Sequence, residues 1–160
     1  MAGPNESKKE PVFLDPLDRK IIRALQADGR VAFIELAREM GVANATIHSR
    51  VSRLKEQGVI KRITAEIDPL CLGLGVSAFI GVKVDHARKI PEVLIKLEKI
   101  DAVVGAYFTT GDYSLLCRII VPAMEDLHLL LTGRVQSIPS ITATDTIVVL
   151  NTPIERAVAI

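Results

Sequence analysis

Hydrophobic positions along this chain first recur at helical spacing and then switch to alternation, and the switch divides it in two. After a polar, Pro/Gly-containing opening without periodicity, Leu17, Ile21, Ala24 and Leu25 fall on one face of a helix. Asp15 caps that helix, Pro16 takes its first position and Asp28-Gly29 stops it. Phe33, Leu36, Ala37 and Met40 share one face of a second helix that Gly41 ends. Only Gly41-Val42 separates it from a third, Asn44 to Gln57, whose stripe of Ile47, Val51 and Leu54 runs up to Gly58. Three short amphipathic helices with a tight second turn predict a helix-turn-helix. The next run, Val59 to Ile67, is β-prone with Lys61 and Arg62 near its centre, and predicts a wing leading to a hinge at Asp68-Pro69.

From Val76 the period becomes two, and Val76, Ala78, Ile80, Val82 and Val84 share a strand face. A helix follows with Ile90, Val93, Leu94 and Leu97 in phase, then a strand over Val103 to Thr109. Gly111-Asp112 signals a turn, and Tyr113 to Val121 is a third strand. A helix carrying Met124, Leu127, His128, Leu131 and Val135 and a last strand from Ile141 to Leu150 complete βαββαβ. That order predicts an α+β chain: a winged helix-turn-helix followed by a ferredoxin-like domain with an antiparallel sheet and both helices on one face. The other face would carry Phe79, Val104, Phe108, Leu116 and Ile120, too many large apolar groups to leave in water, so a homodimer built on this sheet is expected. The expected boundaries are an arm over 1–13, a DNA-binding domain over 14–64, a hinge over 65–75, and a ligand-binding and oligomerisation domain over 76–160.

Length and composition fit this division: 160 residues, 49% apolar and 24% charged, are ordinary for one or two small globular domains. Cys71 and Cys117 cannot build a disulfide framework or a four-thiolate zinc site, and they read as buried thiols in a reducing compartment. No apolar run is long enough for a membrane span and the first eleven residues lack a signal-peptide core, so a soluble cytoplasmic protein is expected. The net charge of +1 hides a polarity. Residues 1–64 hold twelve Lys/Arg against eight Asp/Glu, and residues 65–160 hold eight against eleven, which makes +4 and −3. Between Ala43 and Arg62, Arg50, Arg53, Lys55, Lys61 and Arg62 face Glu56 alone, the footprint of a polyanion touched by one part of the molecule.

With Ile47, Val51 and Leu54 turned inward, the third helix displays Ala45, His48, Ser49, Ser52 and Arg53, with Arg50 at the border. Small residues allow close approach to a groove, hydroxyls and His bond base edges or phosphates, and Arg reads phosphate or guanine. DNA binding is the expectation, and a protein-binding winged helix is the alternative. Gly73-Leu74-Gly75-Val76-Ser77-Ala78 matches a dinucleotide fingerprint, but no strand precedes it and a strand rather than a helix follows, so it reads as a hinge. His86 and His128 have no second ligand at metal spacing, and His128 falls on the apolar side of its helix as a core histidine would. No nucleophile elbow or carboxylate pair stands out, so neither catalysis nor a metal or cofactor is expected. Thr109 to Tyr113 is the most polar tight connection of the second domain. It reads first as a plain turn; alternatively, N–H groups around Gly111 meet a carboxylate while Asp112 meets an ammonium, as an α-amino acid needs.

Leu17-Asp18 with Ile21-Ile22 and Leu25, Asp28-Gly29-Arg30, Leu36-Ala37 with Gly41-Val42, Arg50-Val51 with Arg53-Leu54, and Gly58-Val59-Ile60 together resemble the Lrp/AsnC (leucine-responsive/asparagine-responsive, feast/famine) transcription regulators. Thr110-Gly111-Asp112-Tyr113 and Thr144-Asp145-Thr146 with Ile147 to Leu150 are similar to that family's effector-domain signatures, and the likeness covers nearly everything after residue 14. The resemblance implies sequence-specific binding to double-stranded DNA, dimers paired through the effector domain, frequent assembly to octamers, and an amino-acid effector in a cleft between dimers. Asn44, Ala45, Thr46, His48, Ser49, Arg50, Ser52, Arg53, Lys61 and Arg62 would then face DNA, and Thr110, Gly111, Asp112, Tyr113, Thr144 and Thr146 would line the effector cleft. The family often has a capping residue before the recognition helix where this chain has Ala43, so Asn44 is expected to cap and shift the helix start by one. An effector-independent architectural DNA-binding protein, or an enzyme on the same architecture such as a siroheme decarboxylase, are the alternatives.

Overall fold

The computed structural model describes residues 10–160, so residues 1–9 of the expected arm lie outside the described residues. The chain forms two compact units, one made of residues up to Glu66 together with Glu155–Ile160, the other of Ile67–Ile154.

In the first unit, α1 (Pro16–Ala27), α2 (Phe33–Met40) and α3 (Asn44–Glu56) follow the helical periodicity. Asp15 accepts from the Asp18 N–H at 2.8 Å while the Asp18 side chain accepts from the Asp15 N–H at 3.2 Å, a capping box with Pro16 at the first helical position. Gly41, at φ +67°, closes α2 in a left-handed conformation that a side chain would disfavour, and the Val42 N–H returns to the Ala37 carbonyl at 2.9 Å. Ile21, Leu36, Ala37, Ile47 and Val51 form the core between the helices. The cap of α3 is Ala43 in an extended conformation with no side-chain bond, and Asn44 is already helical. The one-residue shift of the helix start is therefore absent. The β-prone run after Gly58 forms no strand among the described residues; β propensity reflects fit to a pleated neighbour, and none pairs with it. Residues 155–160 make their contacts with this unit.

The second unit is β1 (Val76–Val84), α4 (Ile90–Leu97), β2 (Val103–Phe108), β3 (Leu115–Val121), α5 (Met124–Leu130) and β4 (Ile141–Val148). All three strand pairings are antiparallel and the sheet order is β2-β3-β1-β4, the ferredoxin-like arrangement. Alternation in β1 and β3 sends Ala78, Ile80, Val82, Leu115, Cys117, Ile119 and Val121 to one face, where Val93 and Leu97 of α4 and Leu127 and Leu130 of α5 cover them. The helix after Leu130 widens into one π turn over Leu131–Val135, which brings Val135 into the same core. His128 is exposed rather than buried, because Leu127 and Leu130 occupy the inward positions. Cys117 is buried as expected, whereas Cys71 is exposed.

One irregularity alters the expected open face. The register of β2 shifts between Val103 and Gly105, after which Tyr107 lies opposite Leu116 and Phe108 opposite Leu115. A bulge of one residue exchanges the faces, so Phe108 shares the helix side with Leu115 while Tyr107 joins Phe79, Leu116 and Ile120 on the open side. Ile147, opposite Phe79, adds a further half-exposed apolar group there.

Candidate functional site

The outward side of α3 is set by what its inward side buries. With Ile47, Val51 and Leu54 almost fully buried, Asn44, Ala45, His48, Ser49, Ser52 and Arg53 are exposed and Thr46 and Arg50 half-buried. His48 packs the edge of its ring against Phe33, with centroids 4.8 Å apart. Lys61 and Arg62 are exposed on the extended segment beyond the helix.

The two arginines of α3 have partners within the protein. Arg53 Nη2 donates to both carboxylate oxygens of Asp18, at 2.7 and 2.6 Å, and Arg50 Nη1 donates to Asp18 at 3.1 Å and to Asp15. Asp18 is 1% exposed, so this carboxylate is tolerated only because two guanidiniums and a main-chain N–H saturate it. The Arg50 hydrogen bond, followed by the Asp18 N–H, holds the Asp15 carboxyl below its ordinary range, and the two carboxylates raise Arg50 in turn. The cap of α1 is thus also the clamp that fixes the angle of α3. Sequence reasoning missed this second role. The signal was an acid at position 18, in phase with the stripe that includes Ile21 and Leu25: an acid on an apolar face needs a cation brought to it.

The loop between β2 and β3 carries the other group of residues. Thr109 Oγ1 donates to the Tyr113 carbonyl at 2.8 Å, closing a turn in which Gly111 takes φ +104° and Thr110, Gly111 and Asp112 are exposed. The Tyr113 ring lies flat on Gly81, so close that a Cβ there would stand 2.6 Å from the ring. Its hydroxyl donates to Asp145 Oδ2 at 2.6 Å, and Lys83 Nζ stands 5.8 Å from the ring centroid. The bond to Asp145, then burial and the negative charges of Asp145 and Asp112, raise the Tyr113 phenol above its ordinary value. Thr144 and Thr146 lie opposite Val82 and Ile80, on the helix side of the sheet, and Thr144 Oγ1 accepts from Gln136 at 2.9 Å. Asp145, between them, points to the open side with Tyr113. A single chain therefore brings Thr110 to Tyr113 together with Lys83 and Asp145, and leaves Thr144 and Thr146 on the other face. Period two in β4 contained that separation.

Among the described residues no three His, Cys, Asp or Glu side chains are grouped to hold a metal, and no helix is long and apolar enough to cross a membrane.

Comparison with known proteins agrees with both units. The Lrp/AsnC ligand binding domain profile matches residues 77–159, and a winged helix-turn-helix DNA-binding profile matches residues 14–61. The regulatory protein AsnC of Escherichia coli K12 is 38% identical over 149 residues, 93% of this chain and 98% of its own length. Its solved structure superposes with a TM-score of 0.87 over 92% of this chain and 99% of that one. The HTH-type transcriptional regulator FL11 of Pyrococcus horikoshii is 44% identical over 141 residues, 88% of this chain and 92% of its own length. The leucine response regulatory protein LrpA of Mycobacterium tuberculosis superposes with a TM-score of 0.78 at 31% identity, covering 91% of this chain and 99% of that one. The chain belongs to the Lrp/AsnC family of transcription regulators, with a winged helix-turn-helix DNA-binding domain followed by a ligand-binding domain.

Proposed function

We propose that this regulator binds double-stranded DNA as a homodimer or a higher, octameric assembly in the cytoplasm, and that its effector is a small amino acid taken up at the 110–113 loop. The observation that carries the effector reading is the loop itself. Gly111 has nothing within 4 Å of where a Cβ would stand, and the exposed Asp112 is its neighbour. Main-chain donors and a carboxylate at adjacent positions match the two charges of an α-amino acid, both of which must be met when it leaves water. The M. tuberculosis relative is a leucine response regulatory protein by name, in line with this class of ligand. Thr144 and Thr146 join the site from the edge strand β4 of a neighbouring subunit, which makes the cleft a shared one. Occupancy then alters assembly, and through assembly the binding of DNA, without the effector touching DNA.

On the DNA side, Asn44, Ala45, Thr46, Ser49 and Ser52 of α3 read the groove, His48 from its place on Phe33 lies beside them, and Lys61 and Arg62 meet phosphates. Arg50 and Arg53 act first by orienting the helix and border the phosphates with what charge remains exposed. The output is DNA occupancy rather than turnover, in line with the regulators to which both units are similar.

Thermal-shift screening of the twenty amino acids, with retention on DNA measured in parallel, tests this reading. Asp112→Ala is expected to abolish the melting shift and the effector response while DNA binding stays within about twofold. Equal loss of both activities makes Asp112 a structural turn residue and overturns the effector assignment.

A further inference from the structure

The last six residues, Glu155–Ile160, group with the helical unit through two side chains of α1. Arg23 donates from Nε to the main-chain oxygen of Ile160 at 2.8 Å and from Nη2 to the same atom, and Gln26 Nε2 donates to the main-chain oxygen of Val158 at 3.0 Å. Positions 23 and 26 are three apart, so both donors stand on one exposed face of α1, away from the buried Ile21 and Ile22. Ile160 is half-buried where Glu155 to Ala159 are exposed, and Arg23 also lines an open concavity of about 350 Å³ with Lys20, Ala24, Glu39 and Met40.

We propose that residues 155–160 are a strap that docks on α1 and gives the DNA-binding unit a second attachment to the rest of the chain. The chain passes between the two units twice, after Glu66 and after Ile154. The last sheet bond, from the Val149 N–H to the Ser77 carbonyl at 2.8 Å, leaves residues 150–154 before the strap, a stretch spanning at most about 17 Å when fully extended. A unit held at two points explores fewer orientations than one held by a single linker, and the strap follows β4 through that short stretch. The contacts take main-chain oxygens rather than side chains: Val158 keeps 81% of its surface exposed while its carbonyl is held. Ordering six residues costs conformational entropy that two exposed donors offset only in part, so docked and released forms lie close in free energy and the strap is reversible.

Spin labelling of the full-length protein tests this directly. A nitroxide on Val158→Cys in a Cys71→Ser background labels one site, because Cys117 is buried and its thiol is pushed up to about 11. The expected spectrum contains an immobilised component whose fraction falls about threefold or more in Arg23→Ala/Gln26→Ala, the size of effect that losing weak exposed hydrogen bonds produces. A single mobile component in the parent, or the same immobilised fraction in both, overturns docking. Chymotrypsin at the exposed Leu70 and Leu72 reads the restraint: release of the fragment beginning at Cys71 or Gly73 is expected to be several-fold faster in the double variant. Equal rates overturn the restraint. Arg23 and Gln26 are both exposed and outside the helical core, so the variant keeps the fold against which mobility is measured.

Discussion

At the scale of single residues, Asp18 carries the heaviest obligation, an almost fully buried carboxylate held by Arg53, Arg50 and the Asp15 N–H. Removing one partner of a fully buried pair costs about 3–5 kcal/mol, and Arg53→Ala is expected to cost about 2–3 kcal/mol because Arg50 stays in place and Arg53 is 44% exposed. Asp18→Asn together with Arg53→Ala is expected to cost less than the sum of the two, since neither change then leaves an unmatched charge. A urea-denaturation double-mutant cycle checks this; additive losses make the contact a passive one. Asp15 gives the same network a pH dependence. Its folded value lies below the ordinary 3.8, so its contribution is complete above that value and is lost as pH falls through the folded value. Asp15→Asn is expected to flatten the acid side of the stability profile below about pH 4 and to leave its neutral side parallel to the parent. An unchanged acid limb in thermal melts sinks that assignment.

At the scale of elements, α3 is preceded by a cap, Ala43, whose carbonyl accepts from the Thr46 N–H at 2.9 Å but whose side chain adds nothing to the first turn. Ala43 has φ −70° and ψ 146°, the extended geometry of a good cap, yet no side chain bonds the free N–H groups, and the first turn holds no acid. Ala43→Ser is expected to raise stability by about 1 kcal/mol, seen as a higher melting temperature, with the DNA-facing residues of α3 untouched. Unchanged or lower stability means the helix start is already satisfied in another way. The β2–β3 connection shows the opposite economy. Thr109, Gly111 and Tyr113 each have a defined conformational task, and the Tyr113 ring ties the loop to β1 and β4 by lying on Gly81 and bonding Asp145. Thr110 and Asp112 are exposed and make no such contact, so Asp112→Ala can test the proposed effector role with little cost to the fold of the loop.

At the scale of the whole molecule, the open face of the sheet is the surface on which the proposed dimer is tested. Phe79, Leu116, Tyr107 and Ile147 present apolar surface there, whereas Phe108, 69% exposed, lies on the helix side at the edge strand. If the proposed dimer pairs through this face, Phe79→Asp is expected to weaken it, because a carboxylate replaces an aromatic ring at the contact and must be desolvated there even with Arg118 opposite it. Phe108→Asp is expected to leave the dimer intact. Sedimentation velocity distinguishes the two, and dissociation by Phe108→Asp with no effect of Phe79→Asp places the contact on the other face.

Much of this arrangement was legible without coordinates. Helical and alternating periods, with Asp15, Pro16, Gly41 and Gly58 as punctuation, determine three helices and a βαββαβ order, because burial of one face is a local pattern written residue by residue. The motifs from Leu17 to Ile60 and around Gly111 carried the family, and the basic stretch before Arg62 carried the polyanion. What the sequence could not determine are relations between distant positions. Arg50 and Arg53 look like DNA contacts on a helical wheel, and only the packing of α1 beside α3 delivers Asp18 to them across more than thirty residues. Phe108 changes face through a bulge of one residue, which no alternation rule foresees. The Val59–Ile67 run has strand propensity but no neighbour to pair with among the described residues, and residues 155–160 make their contacts with the helical unit. Local pattern specifies which surface an element buries; tertiary structure decides which partner buries it, because charge pairing, strand register and docking depend on separation in space and not along the chain.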